Sequence, residues 1–149
     1  MNVRGSHRFA APREAVFAAV RDPRTLFEVI PGCEALEQVA PGAYEGRITM
    51  RLPGVVGSYR THVRLVDVVA PERCGLEGRL EGAMGTIEGR AQFELADADP
   101  GTAMTYNGSG VIGGPLARLD GGLAERLAQS LIGQGLAALD RRLATEVHE

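Results

Sequence analysis

The chain has 149 residues, 44% of them hydrophobic and 23% charged, and its 16 Lys and Arg against 19 Asp and Glu leave a net charge of −3. A single domain of this length buries about 70% of its unfolded surface without a disulfide or metal staple, and cations scattered through a mildly acidic chain exclude a nucleic-acid footprint. Twenty glycines, about 13% against a usual ~7%, accompany only four Phe, three Tyr and no Trp, so large side chains do not fill the whole interior.

Residues 2 to 10 alternate, with Val3, Gly5, His7 and Phe9 on the dry side of an expected half-buried strand. Pro12 sits at the favourable first position of a helix whose apolar residues Val16, Phe17 and Val20 follow helical spacing. Asp22 caps a second short helix, with Leu26, Phe27 and Ile30 as its stripe, and Pro31-Gly32 ends it. From residue 34 to residue 113 the period is two. Strands are expected around Glu34 to Val39 and near Tyr44 to Leu52, Tyr59 to Leu65, Cys74 to Leu80, Ile87 to Leu95 and Met104 to Ile112, with Pro, Gly and Asp at the turns. Each is expected to be dry on one face and wet on the other, as an antiparallel sheet solvated on one side demands. After Gly113-Gly114, Pro115 begins an expected long helix. Leu116, Leu119, Leu123, Leu127 and Leu131 follow steps of three and four, and Leu136, Leu139 and Leu143 continue on a face displaced around the axis. Gly121-Gly122 and Gly133 with Gly135 interrupt it at about 1 kcal/mol each relative to Ala, which points to a bend or a close approach. With no repeat and no linker, residues 1–149 read as one domain.

Cys33 and Cys74 are too far apart for a CxxC unit and lack His at ligand spacing, so they read as reduced thiols and no metal is expected. No apolar run approaches the ~18 to 20 residues of a membrane span, and the N-terminus lacks an apolar signal core, so a cytoplasmic protein is expected.

Strand, two short helices, antiparallel meander and long final helix make an α+β helix-grip arrangement, in which a curved sheet folds around one helix. This order resembles the START-like SRPBCC superfamily. Within it, Pro12-x-x-x-Val16-Phe17, Asp22-Pro23-x-x-Leu26 and Ile30-Pro31-Gly32-Cys33-Glu34-x-Leu36-Glu37 look like the N-terminal signature of the carbon monoxide dehydrogenase G-subunit family, the Pro-Gly-Cys-Glu run being the most specific part. Other members often carry Trp where Phe17 stands, and many continue into a hydrophobic or amphipathic tail where this sequence stops at Glu149. The resemblance implies a non-enzymatic accessory to a molybdenum hydroxylase of the carbon monoxide dehydrogenase type, with peripheral contact at the inner face of the membrane and a lipid- or quinone-like ligand. Two other functions known in or around such folds stay open: a polyketide cyclase or dehydratase, and an adaptor for maturation of the molybdenum enzyme.

Gly46, Gly78, Gly89, Gly108 and Gly110 occupy strand positions where the alternation requires core side chains. They read either as sites of sheet curvature or as room for a ligand in a cavity edged by Tyr44, Met50, Tyr59, Leu76, Phe93, Met104 and Tyr106, with Leu123 and Leu127 of the final helix above. The three tyrosine hydroxyls would orient an otherwise apolar ligand. His7, on the dry face of the first strand, is a candidate contact or base. His62 and His148 read as surface residues, Asp67 is the one inward carboxylate, and no catalytic triad or carboxylate pair can be assembled. Cys33 reads as a structural thiol. Val55-Val56 and Gly113-Gly114-Pro115-Leu116 are apolar loop segments expected near the cavity mouth.

Overall fold

The computed structural model describes residues 1–147, and His148 lies outside the described residues. Seven strands form one antiparallel sheet: β1 (Asn2–Phe9), β2 (Cys33–Ala40), β3 (Ala43–Met50), β4 (Gly57–Val69), β5 (Arg73–Gly82), β6 (Gly85–Asp97) and β7 (Thr102–Gly113), in the order β1-β7-β6-β5-β4-β3-β2. The helices are α1 (Arg13–Ala19), α2 (Pro23–Val29) and α3 (Gly121–Val147), with a 3₁₀ turn at Gly114–Arg118. Because β1 pairs with the last strand, β1 and β2 occupy opposite edges although they are neighbours in sequence. α1 and α2 connect the two edges. Asp22 starts α2 as expected, accepting from the Arg24 backbone N–H at 3.2 Å and from the Thr25 hydroxyl at 2.8 Å.

The register sets which residues share the inner face. One row runs Val3, Gly108, Ala91, Leu76, Leu65, and the next runs Gly110, Gly89, Gly78, Val63, Tyr44. Three glycines on three adjacent strands therefore sit side by side across the middle of the sheet.

Apolar packing divides into two clusters on either side of that band. The larger contains Phe9, Val16, Phe17, Cys74, Phe93, Leu95, Met104, Leu139 and Leu143, so it joins α1 and the C-terminal half of α3 to one end of the sheet. The smaller contains Val55, Tyr59 and Leu116, with Met50, Leu80, Ile87, Ile112 and Leu119 against them, at the other end. Leu123, Leu127 and Leu131 belong to neither cluster.

α3 is held to the free edge of β1 by polar groups. Glu125 accepts the Asn2 backbone N–H at 3.1 Å, the Gln129 amide donates to the Arg4 carbonyl at 2.7 Å, and Asp140 accepts the Ala10 N–H at 3.2 Å. These partners cover backbone groups that an edge strand otherwise exposes.

Several expectations change. The last helix does not begin at Pro115: a 3₁₀ turn comes first, Asp120 caps α3 by accepting the Leu123 N–H at 3.1 Å, and Gly121-Gly122 form the first turn. α3 is continuous past Gly133, whose missing side chain faces open space, while Gly135 lies beside the Val29 carbonyl of α2. β2 has no dry face. As an edge strand with two register shifts, it half-buries only Cys33 and Leu36. Asp67 does not point inward; it is exposed, with φ 50° at an irregularity in β4.

The split core predicts unequal truncation costs along α3. Leu139→Ala, at a site 3% exposed, should lower the unfolding free energy by about 2–5 kcal/mol. Leu131→Ala, half-buried outside either cluster, should cost less than about 1 kcal/mol. Urea denaturation of both variants checks this.

Candidate functional site

Ala91 lies on the third of seven strands from the β1 edge, on the inner face, beside Leu76 and Gly108. A residue in that position is ordinarily buried, yet Ala91 is exposed. The reason is that nothing large fills the band around it. A Cβ built on Gly78 would meet no atom nearer than 3.6 Å, and one on Gly89 would touch only the backbone of β7. From α3, at about 100° per residue, Ala124, Ala128 and Ile132 fall on the same side as buried Leu139. Ala124 and Ala128 thus fall on the side of α3 that carries Leu139, and with the glycine band bare and Ala91 exposed, an apolar gap is left at the middle of the sheet, away from the contacts of α3 with β1.

Leu123 and Leu127 fall about 120–160° around the axis from Leu139. They lie on the flank away from β1, half-buried, at the border of the gap rather than over its centre. Leu76 borders the gap from the sheet and packs against the larger cluster. Phe93 and Met104 are 6% and 3% exposed inside that cluster, while Tyr59 and Met50 belong to the smaller one. They close the two ends of the gap.

Gly46 has a different role from Gly78. A Cβ there would stand within overlap distance of the Ala35 carbonyl, because β2 shifts register at this point and its backbone crosses close to β3. Gly46 is small to admit backbone.

The polar groups also separate. Tyr44 donates its hydroxyl to the Arg21 carbonyl at 2.5 Å, joining β3 to the α1–α2 turn, and Tyr59 donates to the Val55 carbonyl at 3.2 Å. Both are committed to the backbone, and burial raises the pKa of both phenols. The Tyr106 hydroxyl has no hydrogen-bond partner among the described residues; its ring lies across Gly5, where a Cβ would overlap it. Tyr106 is therefore the one tyrosine with a hydroxyl left for a ligand. His7 packs against Phe9 with ring centroids 4.7 Å apart and planes tilted by 59°, and its Nε2 lies 3.5 Å from Asp140 Oδ2, within ion-pair reach but without hydrogen-bond geometry. Asp140 is the carboxylate beside His7 that strand alternation could not reveal, since it reaches β1 from a helix distant in sequence. Ala91 carried a signal, being small and in phase with Gly89 and Phe93. Burial raises the thiol pKa of Cys74 and of Cys33, which keeps both protonated at neutral pH.

Among the described residues there is no cluster of three or more His, Cys, Asp or Glu able to hold a metal, and no helix is long and apolar enough to cross a membrane.

The family model for the G subunit of carbon monoxide dehydrogenase (CoxG) matches residues 5–144. The chain belongs to this family. Among solved structures, a conserved protein from Geobacillus kaustophilus is 25% identical with a TM-score of 0.93, covering 97% of this chain and 96% of its own. A START superfamily protein from Mycobacterium smegmatis, 14% identical over 97% of both chains with a TM-score of 0.76, shares the fold. Protein CV1439 from Chromobacterium violaceum does so too, at 21% identity and a TM-score of 0.72 over 94% of this chain and 95% of its own. No curated protein matches.

In this CoxG family member the back of the glycine band is also a depression. A trough of about 710 Å³ crosses the outer face, walled by residues such as Glu45, His62, Arg79 and Glu88 on one side and Arg64, Glu77 and Arg90 on the other. Each wall is tied internally across strands, one by His62 against Glu45 at 3.3 Å and Arg79 against Glu88, the other by Arg64 against Glu77 at 3.3 Å. Charged, paired and open to water, it does not suit an apolar ligand.

The two kinds of glycine separate experimentally. Gly46→Ala should destabilise the protein by about 1–3 kcal/mol through overlap with Ala35, whereas Gly78→Ala should change stability by less than about 1 kcal/mol. Chemical denaturation midpoints with matched slopes distinguish them.

Proposed function

We propose that this protein is a non-enzymatic carrier that holds a hydrophobic small molecule, lipid- or quinone-like, between α3 and the sheet, as an accessory to a molybdenum hydroxylase of the carbon monoxide dehydrogenase type. The observation that carries this reading is the exposed Ala91 on the inner face of the sheet, bordered by Gly78, Gly89 and Gly108. Bare apolar surface inside a fold is unfavourable to hydrate, at roughly 25 cal/mol per Å², and an apolar ligand removes that cost. Tyr106 supplies a hydrogen bond to orient the guest, and the two packed clusters bound its length. Membership of the CoxG family supports the molybdenum hydroxylase as the client.

The His7–Asp140 pair favours one other reading, a cavity enzyme of the polyketide cyclase or dehydratase type in which His7 acts as base. Turnover of a candidate substrate that survives both His7→Ala and Tyr106→Phe would remove it.

Native mass spectrometry of protein purified from its own organism tests the carrier. A bound lipophilic mass is expected, and Gly78→Leu should lower the liganded fraction while leaving the melting midpoint near that of the parent. An interior that is ligand-free and rejects both quinones and lipids would overturn the reading.

A further inference from the structure

The gap has four sides, and three are closed. Along β1, Glu125 and Gln129 tie α3 to the strand. At one end of the sheet the smaller cluster packs Val55, Tyr59 and Leu116 to 6% exposure or less. At the other end stands the larger cluster around Phe93 and Leu139. The fourth side faces β3 and β4, where two inner rows run out: Ala91, Leu76 and Leu65 form one, and Gly89, Gly78, Val63 and Tyr44 the other. Leu65 and Tyr44 are also walls of a notch of about 690 Å³ between the α1–α2 corner and the β2–β3 hairpin. The notch begins where the floor of the gap ends.

We propose that this notch is the portal through which a hydrophobic guest enters and leaves the gap, and that the bond between the Tyr44 hydroxyl and the Arg21 carbonyl is its latch. The inference rests on the carrier reading and deepens it by assigning the path of exchange. The walls suit an apolar chain. Pro23, Pro41 and Val68 line the notch beside Leu65, and its charged side chains are engaged elsewhere. The Arg21 guanidinium lies over the Phe17 ring, 5.8 Å from the centroid, and the Asp22 carboxylate accepts from the Arg24 N–H and the Thr25 hydroxyl. The corner itself is lightly held. The N–H groups of Arg21 and Asp22 donate to the Ala18 and Ala19 carbonyls, which are local bonds that an outward swing leaves intact. Among the described residues, the Tyr44 bond at 2.5 Å is the one hydrogen bond from residues 20–22 to the sheet. Opening breaks that single neutral bond, and water in the notch replaces both partners, so the step is cheap enough to gate exchange.

Stopped-flow fluorescence with the purified full chain tests this, using cis-parinaric acid as the probe and decylubiquinone to displace it. Tyr44→Phe should raise the association and dissociation rates together by roughly three- to tenfold, the worth of one net hydrogen bond. A group that merely touched the guest would move the dissociation rate alone. Val68→Trp, at a 40% exposed wall of the notch, should slow both rates while keeping the parent's thermal midpoint. Val56→Trp, 62% exposed at the end of the sheet that holds the smaller cluster, should exchange the probe like the parent. Hydrogen exchange gives a readout without a guest: the Arg21 and Asp22 amides should exchange faster in Tyr44→Phe, while those of β5 and β6 keep the parent's protection. Parent rates in Tyr44→Phe with unchanged corner exchange, or slowing by Val56→Trp in place of Val68→Trp, would overturn the portal. The two readings fail differently. A parent that binds neither compound overturns the carrier and the portal with it, whereas binding with parent rates in both Tyr44→Phe and Val68→Trp overturns the portal alone.

Discussion

The structure depends on how α3 is fastened. β1 is an edge strand, and an edge leaves backbone N–H and C=O groups that must find partners. Glu125, Gln129 and Asp140 provide them from one flank of α3, at positions spread over sixteen residues of helix. A helix held along one edge lies over the sheet without having to press on its middle. Only the C-terminal half descends onto the sheet, through Leu136, Leu139 and Leu143, against α1 and the end of β1. The N-terminal half, positioned by the Asp120 cap and the polar seam, spans the remainder. The gap follows from this attachment as much as from the glycines beneath it.

The glycine excess consequently has more than one cause. At Gly46 and Gly82 another strand's carbonyl stands where a Cβ would be, so these residues permit close backbone approach. At Gly5 the occupant is the ring of Tyr106. Gly78, Gly89 and Gly110 form the line on which the sheet is bare on its inner face, and of these Gly78 borders open space most clearly. On the opposite face the backbone of the same line forms the floor of the trough. There the charged rows flank the same backbone and join across strands in ion pairs, leaving the trough between them. Such exposed pairs contribute little stability individually, but they keep the outer face hydrated while the inner face stays apolar.

Much of the fold was legible in the sequence, because strand alternation and turn residues are local signals. The seven strands, the Asp22 cap and the inward phase from Tyr44 to Ile112 all follow from patterns within about ten residues. The exposure of β2 on both faces escaped this reading since an edge strand needs no dry face, and the 3₁₀ turn escaped it since Leu116 and Leu119 fit helical spacing equally well in a turn packed under two loops. The site was less legible. The inward direction of Gly46 and Gly78 is the same, and only the strand register, which is a contact between distant segments, shows that one meets backbone and the other meets space. Asp140 illustrates the same limit, being invisible as a partner of His7 until α3 is laid along β1. The Leu123 and Leu127 stripe was legible as an apolar helical face, but its angle to the sheet is set by Leu139 and by the polar seam.

The distribution of polar groups bears on selectivity. Of three tyrosines on the inner face, two have hydroxyls bonded to the backbone carbonyls of Arg21 and Val55, where they hold β3 to the α1–α2 turn and stabilise the hairpin tip. Among the described residues, this leaves the Tyr106 hydroxyl as the tyrosine group not bonded to backbone, which the proposed guest would meet. A single neutral hydrogen bond is worth about 0.5–1.5 kcal/mol net, whereas covering apolar surface accumulates roughly 25 cal/mol for each Å². Affinity in such a gap is therefore governed by how much apolar length fits between the two clusters, and the chemistry of the head group adjusts it by about one order of magnitude. For the carrier proposed above, that balance lets cargo be released as readily as it is taken up, since few fixed polar groups hold it.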